Sequence, residues 1–205
     1  MHRLSLLLPI LLLLGAPAVR GEEGTPPPVP EPKPKVYKLG DKVELGKHAD
    51  LAGGPEIDLA KLLEASDKGL VLVWYSPVCP ACVNKVPEMT EFVTKYTKKG
   101  WTFVGIFSGG NLDPNKLTPE QHLEGYKAQK VPFPILDDRA QRYLKPFALK
   151  KTPTFAAITK DSKLGFIGAP WDIRDKTPYL GPWLEASADG GELPAYEASK
   201  LTAWG

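Results

Sequence analysis

WYSPVCPACVNKVPEM, residues 74–89, contains both cysteines of the 205-residue chain, Cys79 and Cys82. A Cys-Pro-Ala-Cys pair is compatible with a structural disulfide, half of a metal site, or a reversible redox couple. A bridge across two residues closes a tiny loop and restrains the unfolded chain very little. Disulfide-dependent small domains also carry several bridges rather than one. Zinc takes four ligands, and this pair supplies two. Of the three histidines, His2 falls in the N-terminal run, and His48 and His122 each stand alone in polar sequence. Both read as ordinary surface residues. Attachment of c-type haem requires a histidine directly after the second cysteine, where this chain has Val83. Counting therefore removes the metal and haem readings and leaves the redox couple.

The flanking residues favour that couple. GLVLVWYS, residues 69–76, is a continuous apolar run too short for a lone helix, which predicts a buried central strand. Pro80 suits the first position of a helix over 80–99 that stops at Gly100, because its missing N–H needs no partner there. Cys79 then falls at the N-cap, facing free backbone N–H groups and the positive end of the helix dipole, an environment that favours thiolate. Cys82 lies one turn on, within reach for a reversible disulfide. The expectation is an exposed, reactive Cys79 and a more buried Cys82. Pro87 inside this helix predicts a kink.

Outward from the pair the chain alternates. Residues 58–66 have helical spacing of Leu59, Leu62 and Leu63, with Gly69 beyond as a stop. WTFVGIF, residues 101–107, is a second strand. A helix over 119–130, an extended segment at 133–136 and a short helix over 140–147 follow. Strands at 154–158 and 164–168 are joined by the polar turn TKDSK. A helix near 178–188 precedes an irregular end. Strand–helix–strand followed by a hairpin implies an α/β domain with a mixed sheet and helices on both faces.

The termini set the compartment. Arg3 precedes an almost wholly apolar run over 4–14, then Ala16-Pro17-Ala18, the small residues of a cleavage site. Residues 1–21 read as a secretory signal peptide, because the run is shorter than the ~20 residues that span a bilayer. Residues 22–35 are a proline-rich linker that cannot build a core. The domain is expected over 36–185, with an irregular tail at 186–205. The expected site of action is secreted or periplasmic, at the cell envelope, with no membrane span left after signal removal. Lysine and arginine total 26 against 24 acidic residues, spread along the chain, which excludes a nucleic-acid surface.

Strand, Cys-Pro-Ala-Cys, a helix with proline five residues past the second cysteine, then Thr152-Pro153-Thr154 entering a strand: over residues 40–170 this resembles the thioredoxin superfamily. The segment before the core strand and an insert over 111–138 resemble its TlpA/ResA-type and AhpC/TSA (redoxin) branches. The resemblance implies a thioredoxin-like fold with a TlpA/redoxin-type insert. It implies a cis Pro153 beside the cysteines, and a docking surface shaped by Pro153 and framed by Thr152, Trp74 and Tyr75. It also implies an exported thiol-disulfide oxidoreductase with Cys79 and Cys82 as catalytic residues, needing no bound cofactor beyond their disulfide. Partners would be protein thiols or disulfides and a thiol protein that donates or accepts electrons. Departures are visible: Val73 stands where thioredoxins have a buried aspartate, Val78 replaces the tryptophan before the first cysteine, and Lys85 replaces a ResA-type glutamate. No acid is evident to move the Cys82 proton, and Lys85 is placed to favour thiolate nearby. The rival within enzymes is an AhpC/TSA-type thiol peroxidase with antioxidant activity. Leu72 and Ser76 hold the positions of its proline and threonine. A non-catalytic envelope binding module is the alternative from another class.

Overall fold

The computed structural model describes residues 35–109, 117–171 and 179–189. The signal-peptide and linker readings over 1–34, the first part of the insert, and the tail beyond 189 lie outside the described residues.

Strand β1 (Lys47–His48) and β2 (Ile57–Asp58) form a two-stranded antiparallel ribbon. Asp58 also caps helix α1 (Leu59–Ala65), its carboxylate accepting from the Lys61 N–H at 3.1 Å. Strand β3 (Gly69–Trp74) follows, buried along its whole length. The chain then forms α2 (Pro80–Val83), α3 (Val86–Thr97) and β4 (Trp101–Phe107). After these come α4 (Pro119–Gln129), β5 (Ile135–Asp137), the hairpin β6 (Thr154–Thr159) and β7 (Leu164–Gly168), and α5 (Leu180–Asp189).

The main sheet runs β5-β4-β3-β6-β7. Strand β3 is parallel to β4 and antiparallel to β6, so both its edges are paired and both its faces covered. That explains its unbroken apolar sequence. Side chains on a strand point alternately to opposite faces. Val71, Val73 and Tyr75 accordingly join one core with Met89, Val93 and Tyr96 of α3, Tyr126 of α4, and Leu180, Trp183 and Leu184 of α5. Leu70, Leu72 and Trp74 join a second core with Leu59 and Leu63 of α1, Tyr143 and Phe147. Cys82 is buried in the first core, and Cys79 packs against it.

Two expected helices come out differently. The expected helix over 80–99 is two helices, α2 ending at Val83 with Asn84 as its C-cap and α3 beginning after Lys85. Pro87 falls in the first turn of α3, where its missing N–H disrupts nothing, so it starts a helix rather than kinking one. The segment 140–147 is a run of turns. Gln141 has φ 59°, a left-handed conformation that breaks an α-helix. The Asp138 carboxylate collects the N–H groups of Arg142, Tyr143 and Leu144 at 2.7, 3.1 and 3.2 Å. These bonds satisfy donors that a helix would have paired with backbone carbonyls.

Alternation also corrects one site expectation. Tyr75 faces the cysteine core, so Trp74 must face the other. It is fully buried there, its ring 5.1 Å from that of Phe147, and it frames no docking surface. Trp74→Ala is expected to cost about 3–5 kcal/mol of stability by urea titration, as for other large core aromatics. A loss under about 1 kcal/mol would contradict this placement.

Candidate redox site at the end of the central strand

The register of β3 with β6 pairs Trp74 with Thr154. Antiparallel pairing therefore brings the chain leaving β3 alongside the chain entering β6. The first carries Cys79 and the second carries Thr152 and Pro153. The Thr152–Pro153 peptide is cis, as the resemblance implies. Pro153 is buried, while Thr152 is partly exposed. The Cys79 thiol lies 3.7 Å from the Thr152 carbonyl oxygen, to which it donates. Both cysteines are free thiols, Cys79 partly exposed and Cys82 buried.

Cys79 is the N-cap of α2, with extended dihedrals, and Pro80 follows in the first turn. The Cys79 carbonyl accepts from the Cys82 and Val83 N–H groups at 2.9 Å each, closing the turn that stacks the second cysteine behind the first. Burial pushes the Cys82 thiol up to about 12. Hydrogen bonds from the Ser76 backbone and the Thr152 side chain pull the other way, and the neighbouring Cys79 adds to the rise. Thr152 thus bears on both sulfurs: its carbonyl accepts from Cys79, and its side chain lowers the Cys82 pKa.

Tyr75 lies on the same side. Burial, then the charges of Cys82 and Cys79, push its phenol well above the ordinary range. At pH 7 it is a neutral hydrogen-bonding group. Its hydroxyl donates to Gln129 Oε1. Gln129 Nε2 donates to the Pro77 carbonyl at 2.8 Å, and the Tyr126 hydroxyl donates to the Tyr75 carbonyl at 2.7 Å. Tyr126 and Gln129 were not legible as site residues, since in the sequence they read only as part of a helix over 119–130.

Three sequence readings change. Lys85 pairs with Glu88 at 2.9 Å, so its ammonium is held by a carboxylate rather than offered to a sulfur. His48 is buried, its Nε2 3.2 Å from the Tyr143 hydroxyl. Burial holds its pKa below the usual value, against the opposing pull of Asp138. His122 is also buried, its ring 4.7 Å from that of Phe107. Neither histidine is a surface residue, because aromatic neighbours distant in sequence enclose each. Asp138, the buried acid that the sequence did not reveal, shapes the turns at 140–147. Burial raises its pKa, and its backbone hydrogen bonds oppose that rise. Among the described residues no three histidine, cysteine, aspartate or glutamate side chains converge as a metal site.

The AhpC/TSA family model matches residues 40–167, and the chain belongs to that family. Thiol-disulfide oxidoreductase ResA of Bacillus cereus is 25% identical over 131 residues, which cover 62% of this chain and 71% of that protein. An uncharacterized conserved protein from Geobacillus kaustophilus matches with TM-score 0.68 at 23% identity, covering 79% of this chain and 88% of the other. Peroxidoxin BcpB from Mycobacterium tuberculosis matches with TM-score 0.51 at 20% identity, covering 75% and 92%. The fold is thioredoxin-like. Fold alone does not choose a chemistry, because function resides in the site.

The unequal burial of the thiols has a direct readout. At pH 8 a thiol with pKa about 12 is only about one part in 10⁴ thiolate, and thiolate is the reactive form. In Cys79→Ser, alkylation of Cys82 by iodoacetamide should be at least about 100-fold slower than alkylation of Cys79 in Cys82→Ser. Its rate should still be rising above pH 9, because the folded thiol titrates later than a free one. Equal rates, or a plateau below pH 9, would contradict the geometry.

Proposed function

We propose that the protein is an exported thiol-disulfide oxidoreductase working through the Cys79–Cys82 couple. The observation that carries this reading is the asymmetry of the pair: a partly exposed Cys79 against the Thr152 carbonyl, and a buried Cys82 one turn behind. Cys79 thiolate attacks a substrate disulfide, forming a mixed disulfide and releasing one substrate thiolate. Cys82 then gives its proton to the released substrate thiolate or to water and attacks the Cys79 sulfur. The Cys79–Cys82 bond forms, the second substrate sulfur leaves as thiolate, and the protein is oxidised by two electrons while the substrate is reduced by two. The reverse sequence oxidises a substrate dithiol.

Burial of Cys82 suits the second step. A thiol that stays protonated does not compete with Cys79 for the substrate. Thr152 presents the backbone edge next to Cys79, and the buried Pro153 holds that edge in place. The relatives named thiol-disulfide oxidoreductase support the same chemistry; the substrates proposed are protein thiols or disulfides, with a thiol protein as electron partner. Beyond the redox disulfide itself, no bound cofactor is required. Export rests on the signal-peptide reading of residues 1–21. No helix among the described residues is long and apolar enough to cross a membrane.

Peroxide reduction is the competing chemistry within the same family. A peroxidase holds two oxygens in line with the thiolate using fixed donors. The cavity lined by Ser76, Ser108, His122 and Thr152 has a volume of about 10 Å³, room for about one water molecule. That cavity, which neither cysteine lines, is too small to hold a peroxide.

Cys82→Ser should accumulate mixed disulfides on Cys79, and Cys79→Ser should abolish exchange. Trapping by Cys79→Ser alone would reverse the assignment. The second-order rate of the reduced protein with a disulfide should exceed that with hydrogen peroxide by at least about tenfold, roughly 1.4 kcal/mol in barrier. Stopped-flow Trp fluorescence measures both. Faster oxidation by peroxide would place the protein among the peroxidases.

A further inference from the structure

Residues 75–77 link β3 to Cys79, and Ser76 holds Cys79 directly: the Cys79 N–H donates to the Ser76 carbonyl at 3.2 Å. The Val78 N–H donates to Ser76 Oγ at 3.4 Å. The outer side of this link is gripped by one face of α4, a helix of the insert that supplies no sulfur chemistry. Tyr126 donates to the Tyr75 carbonyl at 2.7 Å, and Gln129 Nε2 donates to the Pro77 carbonyl at 2.8 Å. Gln129 Oε1 accepts from the Tyr75 hydroxyl. One turn before Gln129, the helix meets the Pro77 ring at Gly125. A methyl group there would come within 2.7 Å of Pro77 Cβ and 3.0 Å of Cγ, closer than real contacts allow. Glycine, tyrosine and glutamine at helical spacing thus act on one short segment through packing and three hydrogen bonds.

Gln129 is the member that joins two points of that segment. Its amide uses one donor and one acceptor at once, with Tyr75 on one side and Pro77 on the other. A side-chain amide is suited to this, because it presents both groups in a fixed plane. A Tyr75 hydroxyl left without its acceptor in this buried place would be expensive.

We propose that Gln129 is a positioning residue for the dithiol, holding residues 75–77 in the shape that keeps Cys79 within bonding reach of Cys82. The inference rests on the dithiol–disulfide function proposed above. Closing the Cys79–Cys82 bond joins two sulfurs with loss of two electrons to the incoming disulfide. The ease of that step depends on the effective concentration of one thiol beside the other. The loop carrying Cys79 sets that concentration, and the Gln129 bridge holds the loop. Loss of the bridge should make the internal disulfide less stable and its formation slower.

The test equilibrates the full chain with mixtures of reduced and oxidised dithiothreitol, using wild type, Gln129→Leu, Gln129→Glu and Gly125→Ala. Urea unfolding of each variant confirms that it is folded. Gln129→Leu should weaken the internal disulfide at least about tenfold, raising the potential by about 30 mV for a two-electron couple. In a Cys79 mixed disulfide with glutathione, release of glutathione by Cys82 should slow in parallel. Gln129→Glu retains an acceptor for Tyr75 but has no donor for Pro77, so a smaller shift in the same direction is expected. Gly125→Ala displaces Pro77 without touching a polar group and should shift the couple the same way. Folded Gln129→Leu and Gly125→Ala with the wild-type potential and release rate would overturn the proposal, leaving α4 a purely structural element. A wild-type protein that does not cycle with dithiothreitol would instead defeat the dithiol function itself, and the proposal with it.

Discussion

The antiparallel pairing of the central strand with β6 is the constraint on which the site depends. Trp74 pairs with Thr154, so the residues just after one strand and just before the other must run side by side. From that register follows the approach of Cys79 to the Thr152 carbonyl. A slip of one residue would turn every side chain of β3 to the opposite face. Tyr75 would leave the cysteine core and Trp74 would enter it. The two cores therefore fix the site's geometry: each apolar set on β3 is matched to different helices, so only one register buries both.

Chemical asymmetry grows from the same packing. Cys79 stands where the strand has ended and the helix has just begun, at a rim open to solvent. Cys82 lies one turn later, on the side that packs against Tyr75, Met89 and Phe155 in a common core. Burial is the largest cause of the raised Cys82 pKa. No carboxylate is needed to make the two thiols unequal, which accords with the non-acidic Val73 and Lys85 near the pair. The polar groups that pull the Cys82 pKa down are the Ser76 backbone and the Thr152 side chain. These neutral dipoles can stabilise a transient thiolate without carrying charge themselves.

Much of this was legible in the sequence, for identifiable reasons. The strands at 69–74, 101–107 and 154–159 announce themselves because their burial makes them continuously apolar. The Cys-Pro-Ala-Cys turn is legible because Pro80 can only begin a helix there. The split of the long helix was not, since Pro87 in the interior of one helix and in the first turn of another look alike in sequence. Trp74 was misplaced although the alternation rule assigns Trp74 and Tyr75 to opposite faces. Bulky aromatics beside a motif suggest a rim, and the strand's geometry allows only one of them to face it. The three N–H groups that the Asp138 carboxylate gathers leave no mark in the sequence. His48 and His122 read as surface residues because Tyr143 and Phe107 become their neighbours only after folding. The grip of α4 on residues 75–77 was hidden for the same reason, since contacts across some 50 positions leave no local trace in one chain.

The central claim is that Cys79 and Cys82 form a single reversible couple. Intact-mass and peptide analysis of the protein after mild treatment with oxidised glutathione tests it most directly. The account predicts a loss of two hydrogens from the intact chain, located in one peptide holding a Cys79–Cys82 bond and reversed by dithiothreitol. A glutathione adduct that persists on Cys79 with Cys82 still a free thiol would contradict it.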